Sequence, residues 1–344
     1  MASKTNERSA SLKLIAGEAG VSMMTVSRAL RGANDVSPKT RERILEIANR
    51  LNYTPNMLVT GIRTGRTQTI GVMMPVTSEF YGRVIAGVHD HLAEENYAMI
   101  LSNIAVHVSH DGTVDQQHLQ RLVERRVDGV IFRPSDDGAT DSHFEELRKR
   151  NIPLVVIDRF LPKAHCDFVG TDDYMGGTLA AHHLLELGHR RVAHLAGPDF
   201  VSTARRRRRG FEDTMHDAGA HCEVIALRGF HDEEGVTTLL QQKKLPTAVF
   251  CANDDTAADL CRLARQRGLQ IPRDLSVIGF ADLTIARQLD PALTTIRQNP
   301  EEIGRRAASF ILETLGHNGS EKKRSHENVQ LAPSLIVRDS TAAV

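Results

Sequence analysis

The sequence predicts two units of different class: an all-α helix-turn-helix headpiece at the N-terminal end, and a larger α/β core of two parallel-sheet subdomains. Three observations predict it. Between residues 11 and 62, short amphipathic stretches are separated by capping residues and tight turns. From residue 69 onward, short apolar runs alternate with longer amphipathic stretches, the pattern of parallel strands covered by helices. Charge divides the same way. Residues 1–66 hold eleven Lys and Arg against five Asp and Glu, and because the whole chain balances 43 against 43, the remainder is equally acidic. A basic head on an acidic body suits a polyanionic partner at one end only.

The headpiece elements follow from their caps. Ser11 caps a first helix, Leu12 to about Glu18, and Gly20 supplies the positive φ that ends it. Ser22 caps a second helix, Met23 to Leu30, in which Val26 and Leu30 are spaced to face the first. Ser37-Pro38 opens a third helix, Lys39 to Leu51, with proline at the first helical position. Tyr53-Thr54-Pro55 ends it. The outer face of the second helix presents Met23, Met24, Thr25, Ser27 and Arg28. A helix entering the major groove by its first turns brings Arg28 to guanine O6 and N7, and the unbranched methionines to thymine methyls.

The segments AGVSMMTVSRAL, VSPKTRERI and LNYTPN resemble the headpiece of the lactose/galactose repressor (LacI/GalR) family, and the resemblance extends over nearly the whole chain. It implies a DNA-binding set of Ser11, Leu12, Ser22, Met23, Met24, Thr25, Ser27, Arg28, Ser37, Thr40, Tyr53, Asn56, Val59 and Ile62. Of these, Met23, Met24 and Arg28 would set base specificity, while Ser22, Thr25, Ser27, Ser37 and Thr40 would meet phosphates. It also implies a hinge helix over Asn56–Ile62, with Ile62 as the apolar wedge that unstacks and kinks the duplex. Two hinge residues depart from the family: Val59 stands where a small alanine is usual, and Gly61 costs roughly 1 kcal/mol in a helix interior. Leu14 replaces an acidic residue common in the first helix. The expected domains are residues 1–55 (headpiece), 56–66 (hinge helix and linker) and 67–344 (core).

In the core, strand patterns fall at Thr69–Pro75, Ala98–Leu101, Gly129–Phe132, Leu154–Ile157, Val192–Leu195, Ala248–Cys251 and Leu275–Phe280. Helical patterns include Tyr81–Glu95, Asp115–Arg126, Gly176–Leu187 and Thr256–Gly268. Two such halves, changing over near Asp158–Val169, resemble the periplasmic sugar-binding fold, and Ala292–Ile296 reads as the return crossover. The expected N-subdomain is about 67–158 plus 292–326, and the C-subdomain about 159–291 plus 327–344. Ligands of open α/β sheets sit at the carboxyl ends of the strands. The effector-binding candidates there are Phe80, Tyr81, Arg133, Asp158, Arg159, Thr203, Arg207, Phe230, Asn253, Asp254 and Asp282. Carboxylates, amides and guanidinium groups hold sugar hydroxyls, and aromatics stack on the ring.

The resemblance implies a small-molecule effector in the cleft between the halves. The family's purine-binding branch uses an arginine where this chain has Val201 and an acid where it has Ala281, so a sugar or sugar acid ranks above a purine corepressor. The family's tetramers use an extra leucine-heptad tail, which does not follow Leu335–Ser340 here, so a homodimer on a palindromic double-stranded DNA operator is expected.

Other signals carry less. Arg205–Arg209 reads as a helix start in the C-terminal half rather than a second nucleic-acid patch. His182, His183, His189 and His194 fit no compact ligand spacing, and no metal or cofactor is expected. The four cysteines, Cys166, Cys222, Cys251 and Cys261, are scattered and read as reduced packing residues. The dinucleotide, P-loop and nucleophile-elbow glycine motifs are missing, so an enzyme fused to a helix-turn-helix is the lesser alternative and no catalytic residue is expected. No apolar run is long enough to span a bilayer and no signal-peptide pattern is present, which makes a cytoplasmic protein without membrane contact the expectation.

Overall fold

The computed structural model describes residues 11–30, 33, 35–53, 66–104, 113–135, 141–161, 165–229, 232–317 and 325–344. It divides into two compact units at Thr67/Gln68.

The first unit holds α1 (Leu12–Ala19), α2 (Met23–Leu30) and α3 (Pro38–Arg50). Each start is fixed by a hydroxyl accepting a backbone N–H. Ser11 Oγ accepts from Leu14, Ser22 Oγ from Thr25 at 3.1 Å and Ser37 Oγ from Thr40 at 3.3 Å. Gly20 takes the left-handed conformation, φ +65°, that ends α1. The three helices close over Ile15, Ala16, Ala19, Val26, Ala29, Val36, Ile44, Ile47 and Ala48. So small a core needs help. Arg50 pairs with the Glu18 carboxylate, and Arg43 donates to the Glu18 carbonyl, which ties α3 to the end of α1.

The second unit contains two six-stranded sheets. The first has the order β11-β5-β4-β3-β1-β2 and is parallel throughout. Its strands are β1 (Thr69–Met74), β2 (Ala98–Asn103), β3 (Gly129–Phe132), β4 (Leu154–Ile157), β5 (Asp167–Thr171) and β11 (Asn328–Leu331). The second has the order β12-β10-β9-β8-β6-β7, with only the β10/β12 pair antiparallel. It is made of β6 (Arg191–Ala196), β7 (His221–Ala226), β8 (Ala248–Cys251), β9 (Ser276–Ala281), β10 (Thr294–Arg297) and β12 (Ser334–Ile336). The central strands are buried on both faces, which is why they read as unbroken apolar runs.

This topology moves the expected subdomain boundaries. β5 pairs with β4, so the first sheet runs to Thr171 rather than stopping at residue 158. β10 pairs with β9, so the chain stays in the second half past residue 292 and leaves it near Gln298. β11 pairs with β5, so the final return follows Leu331 rather than residue 327. The register of strand pairing decides where each crossover falls, and strand pairing is nonlocal.

The helices that flank these sheets, in chain order, are α4 (Glu79–Glu94), α5 (Thr113–Glu124), α6 (Asp141–Lys149), α7 (Asp173–Glu186), α8 (Ser202–Asp217), α9 (Glu233–Leu240), α10 (Asp254–Gln266), α11 (Thr284–Gln288) and α12 (Pro300–His317). α7 and α8 pack backbone against backbone at Gly177 and Gly210. A Cβ at Gly177 would overlap the Arg207 carbonyl, and one at Gly210 would overlap that of Tyr174. That contact sets the depth of α8 and therefore of Arg207.

Candidate functional site

In the first unit, the outward face of α2 carries the side chains expected to read bases. Met23 and Met24 are 54% and 58% exposed, although both are large and apolar, so packing in this unit does not account for them. Val26 and Ala29 on the opposite face are buried. Arg28 is half exposed and pairs with Asp35 at 2.8 Å. Ser22, Ser37 and Ser11 are exposed but already committed to helix starts, so any phosphate they meet shares an oxygen that also holds the fold. Thr25 and Thr40 also meet the capping hydroxyls, at 3.0 and 2.7 Å. Leu12 and Tyr53 are partly buried against the headpiece core, and Ser27 is half-buried on α2. Asn56, Val59, Gly61 and Ile62 lie outside the described residues.

In the second unit, a cavity of about 650 Å³ opens at the carboxyl ends of the strands of both sheets. The first sheet contributes Thr77, Ser78, Glu79, Phe80 and Tyr81 after β1, Arg133 after β3, and Asp158 and Arg159 after β4. From the second come Val201, Thr203 and Arg207 after β6, Asn253 and Asp255 after β8, Ala281, Leu283 and Ile285 after β9, and Gln298 after β10. Eight of the eleven expected effector residues thus meet at one cavity. Phe230 lies outside the described residues.

The other two are corrected. Asp254 is fully buried behind the lining, where its carboxylate accepts from Thr295 Oγ1 at 2.5 Å and from the Leu283 N–H at 2.7 Å. Burial pushes its carboxyl up to about 6. Asp282 turns away to accept from Arg297 and Arg338. Both are sheet-end anchors. The reason is local: successive residues of a helix point about 100° apart, so Asp255 faces the cavity and Asp254 does not.

The wall from the first sheet is a hydrogen-bonded relay. Tyr81 Oη donates to Asp158 Oδ2 at 2.6 Å, and Arg133 Nε donates to Tyr81 Oη at 2.9 Å. Arg133 lies over the tyrosine ring, 5.1 Å from its centroid, and 4.0 Å from the Asp158 carboxylate. Burial pushes the Tyr81 hydroxyl up to about 12, so it remains a donor. Asp158 sits at φ +62°, a left-handed conformation that aspartate tolerates better than most residues and that aims its carboxylate back at Tyr81. Arg159 donates to the Ser135 carbonyl.

The wall from the second sheet is built differently. Arg207 is held from behind: Nε donates to Asp173 Oδ1 at 2.7 Å, Nη1 donates to the Ala252 carbonyl at 2.9 Å, and the guanidinium lies 3.7 Å from the centroid of the Phe280 ring. Burial pushes the Asp173 carboxyl up, against the pull of Arg207. Asn253 spends its side-chain oxygen capping α10, accepting from Thr256 at 2.7 Å. Across the cavity mouth, the Glu79 carboxylate accepts from the Thr284 N–H and hydroxyl, joining the start of α4 to the start of α11. Gln298 donates to Thr171 Oγ1 at 2.8 Å where two crossovers run side by side.

Thr77, Ser78, Glu79, Asp255 and Gln298 are the polar lining residues that sequence reasoning missed. Glu79 and Asp255 each neighbour a residue that was singled out, so helical rotation was the usable signal. Gln298 had none before β10 was placed.

The discounted signals have local explanations. The arginine run is absorbed by acceptors: Arg205 donates to the Asp199 carbonyl, Arg206 to Gln330 and Asp172, Arg208 to Glu212 and Asp199, and Arg209 pairs with Asp213. His183 and His189 bind the segment Thr341–Ala342. His194 stacks on Phe250 at 4.6 Å and hydrogen-bonds its carbonyl. No group of three metal-ligating side chains occurs among the described residues, the cysteines described are free, and no described helix is long and apolar enough to cross a membrane.

Residues 11–56 match the family described as bacterial regulatory proteins, lacI family, and residues 181–341 match the periplasmic binding protein-like domain. The HTH-type transcriptional repressor PurR of Haemophilus influenzae is 33% identical over 97% of this chain and 99% of its own length. This chain belongs to the lacI family. The ribose operon repressor of the same organism is also 33% identical, over 96% of this chain and 98% of its own. The lac repressor dimer solved with operator and the anti-inducer ONPF superposes with a TM-score of 0.84 at 26% identity, covering 98% of this chain and all of that one. As a lacI-family member the chain is a DNA-binding regulator rather than a catalyst. Its two units are the family's helix-turn-helix and its periplasmic-binding-protein-like core.

Proposed function

We propose that this chain is a repressor that binds a two-fold symmetric operator as a homodimer and is controlled by a sugar or sugar acid held in the core cavity. One observation carries the reading: residues from the strand ends of both sheets converge on one polar cavity, with Tyr81, Arg133, Asp158 and Arg159 on one side and Thr203, Arg207 and Asn253 on the other. A ligand touching both sides contributes differential affinity for the arrangements of the two halves, and only that difference can be passed to DNA binding. Two-fold DNA suits an isologous dimer. The lac repressor relative is a dimer on operator, and another relative is a ribose operon repressor. A purine is the weaker reading despite the similarity to PurR, because Val201 and Ala281 line the cavity without polar groups. In the headpiece, Met23, Met24 and Arg28 read bases, and Ile62 wedges the centre of the site.

The test is operator selection from random duplexes, followed by titration with sugars and sugar acids. Asp158→Ala is expected to keep operator affinity within about twofold while abolishing the response to ligand. Loss of both together would mean that Asp158 serves folding and that the cavity assignment is wrong.

A further inference from the structure

We infer that the cavity ligand is anionic, a polyol or sugar bearing a carboxylate, whose acid group is received by Arg133 on the wall of the first sheet. This deepens the proposed effector reading and rests on it. The inference comes from which polar capacity of the lining is already spent.

A neutral sugar offers hydroxyls that both donate and accept, so its site must keep acceptors as well as donors in reserve. Here several of the acceptors are committed, while Asp255, Gln298 and the hydroxyls of Thr77, Ser78 and Thr203 complete the polar lining. Glu79 receives three hydrogen bonds from Thr284. Asp158 receives Tyr81 at 2.6 Å. Asn253 Oδ1 receives the Thr256 N–H. Ala281, at a strand end with φ +119°, adds no polar group. Asp173 and Asp254 stand behind the lining, engaged with Arg207 and with Thr295 and Leu283.

The donors are less fully spent. Three guanidinium groups line the cavity. Arg207 is satisfied by Asp173 and the Ala252 carbonyl. Arg133 is only 1% exposed, and among the described residues its sole side-chain hydrogen bond runs from Nε to a tyrosine hydroxyl. Among the described residues its Nη1 is buried without an acceptor, and the Asp158 carboxylate stands off at 4.0 Å and already holds Tyr81. A buried donor left without an acceptor is costly, and an arginine fork is the side chain best matched to a carboxylate. A carboxylate brought by the ligand supplies the missing acceptor.

The experiment compares matched acids and amides on the full chain by calorimetry and thermal shift. The panel is D-gluconate, D-galactonate, D-glucuronate and D-galacturonate, each with its amide, and the corresponding neutral sugars. At least one acid is expected to bind at least tenfold more tightly than its own amide. Arg133→Gln should erase that preference, and Arg133→Lys should keep part of it; circular dichroism of the unliganded variants checks that they fold. A neutral sugar or amide that binds as tightly as its acid, with no dependence on Arg133, overturns the anionic ligand and leaves the cavity reading standing. No binding from any member of the panel to folded protein overturns both.

Discussion

Arg28 in the headpiece and Arg207 in the core are both arginines proposed to meet a ligand, and they are built in opposite ways. Arg28 is half exposed, on the outward face of α2, and pairs with Asp35, which is as exposed as itself. Arg207 is buried, held by a buried carboxylate, a backbone carbonyl and an aromatic ring. The first keeps its side chain available and leaves precision to the DNA. The second is preorganised, so less ordering remains to be done when ligand arrives. Fold and recognition are therefore nearly separable in the headpiece and fused in the cavity.

The largest effect should come from breaking the fused case. Arg207→Met leaves Asp173 buried without its cation, and the core is expected to lose about 3–5 kcal/mol of stability, measured by urea unfolding. An unchanged midpoint would show that the pair adds nothing to the fold and would collapse the comparison.

Next is an acid dependence confined to the core. Burial lowers the His194 imidazole to about 4. Below its ordinary value near 6.5 the unfolded chain takes up a proton that the native core refuses, so stability present above that pH is lost as pH falls toward 4. The loss from this group is about 3 kcal/mol at most. His194→Phe should flatten the pH dependence of core unfolding over that window, and an unaltered slope would assign the loss to other groups.

Arg28→Ala tests the separable case. It should cost about 1–3 kcal/mol in binding the selected operator and relax preference at one position, while unfolding shifts by no more than about 0.5 kcal/mol. The smallest effect blurs the division: Ser22→Ala removes the cap on α2 and should cost the headpiece about 1 kcal/mol, seen in its melting temperature. Because Ser22 is also proposed to meet phosphate, its binding loss should be similar for all duplexes rather than specific to the operator.

Legibility in the sequence followed the same line. The caps at Ser11, Ser22 and Ser37, the turn at Gly20 and the exposed Met23-Met24 pair were readable because helix starts and faces are set by residues within a few positions of one another. Most core strands were readable from apolar runs. β5 was read as part of the changeover between halves and β10 as a crossover, because only strand pairing tells a strand from a connection there; β7, β11 and β12 were missed because their half-buried patterns carry weak periodicity. The cavity was half legible. The strand-end rule found Arg133, Asp158 and Arg207, but it could not separate Asp254 from Asp255 or exclude Asp282.

By itself, the sequence determined the two-unit plan, the family, and which face of α2 is exposed and proposed to read DNA, since each depends on local periodicity, capping and short motifs. Only the tertiary structure decided which strands share a sheet, and hence that the first sheet runs to Thr171 and takes β11 back. It alone decided which polar groups were already satisfied. Glu79 finds Thr284 across 205 positions of chain and Arg207 finds Asp173 across 34. Whether a buried donor such as Arg133 Nη1 has an acceptor depends on everything packed around it, and no stretch of sequence contains that information.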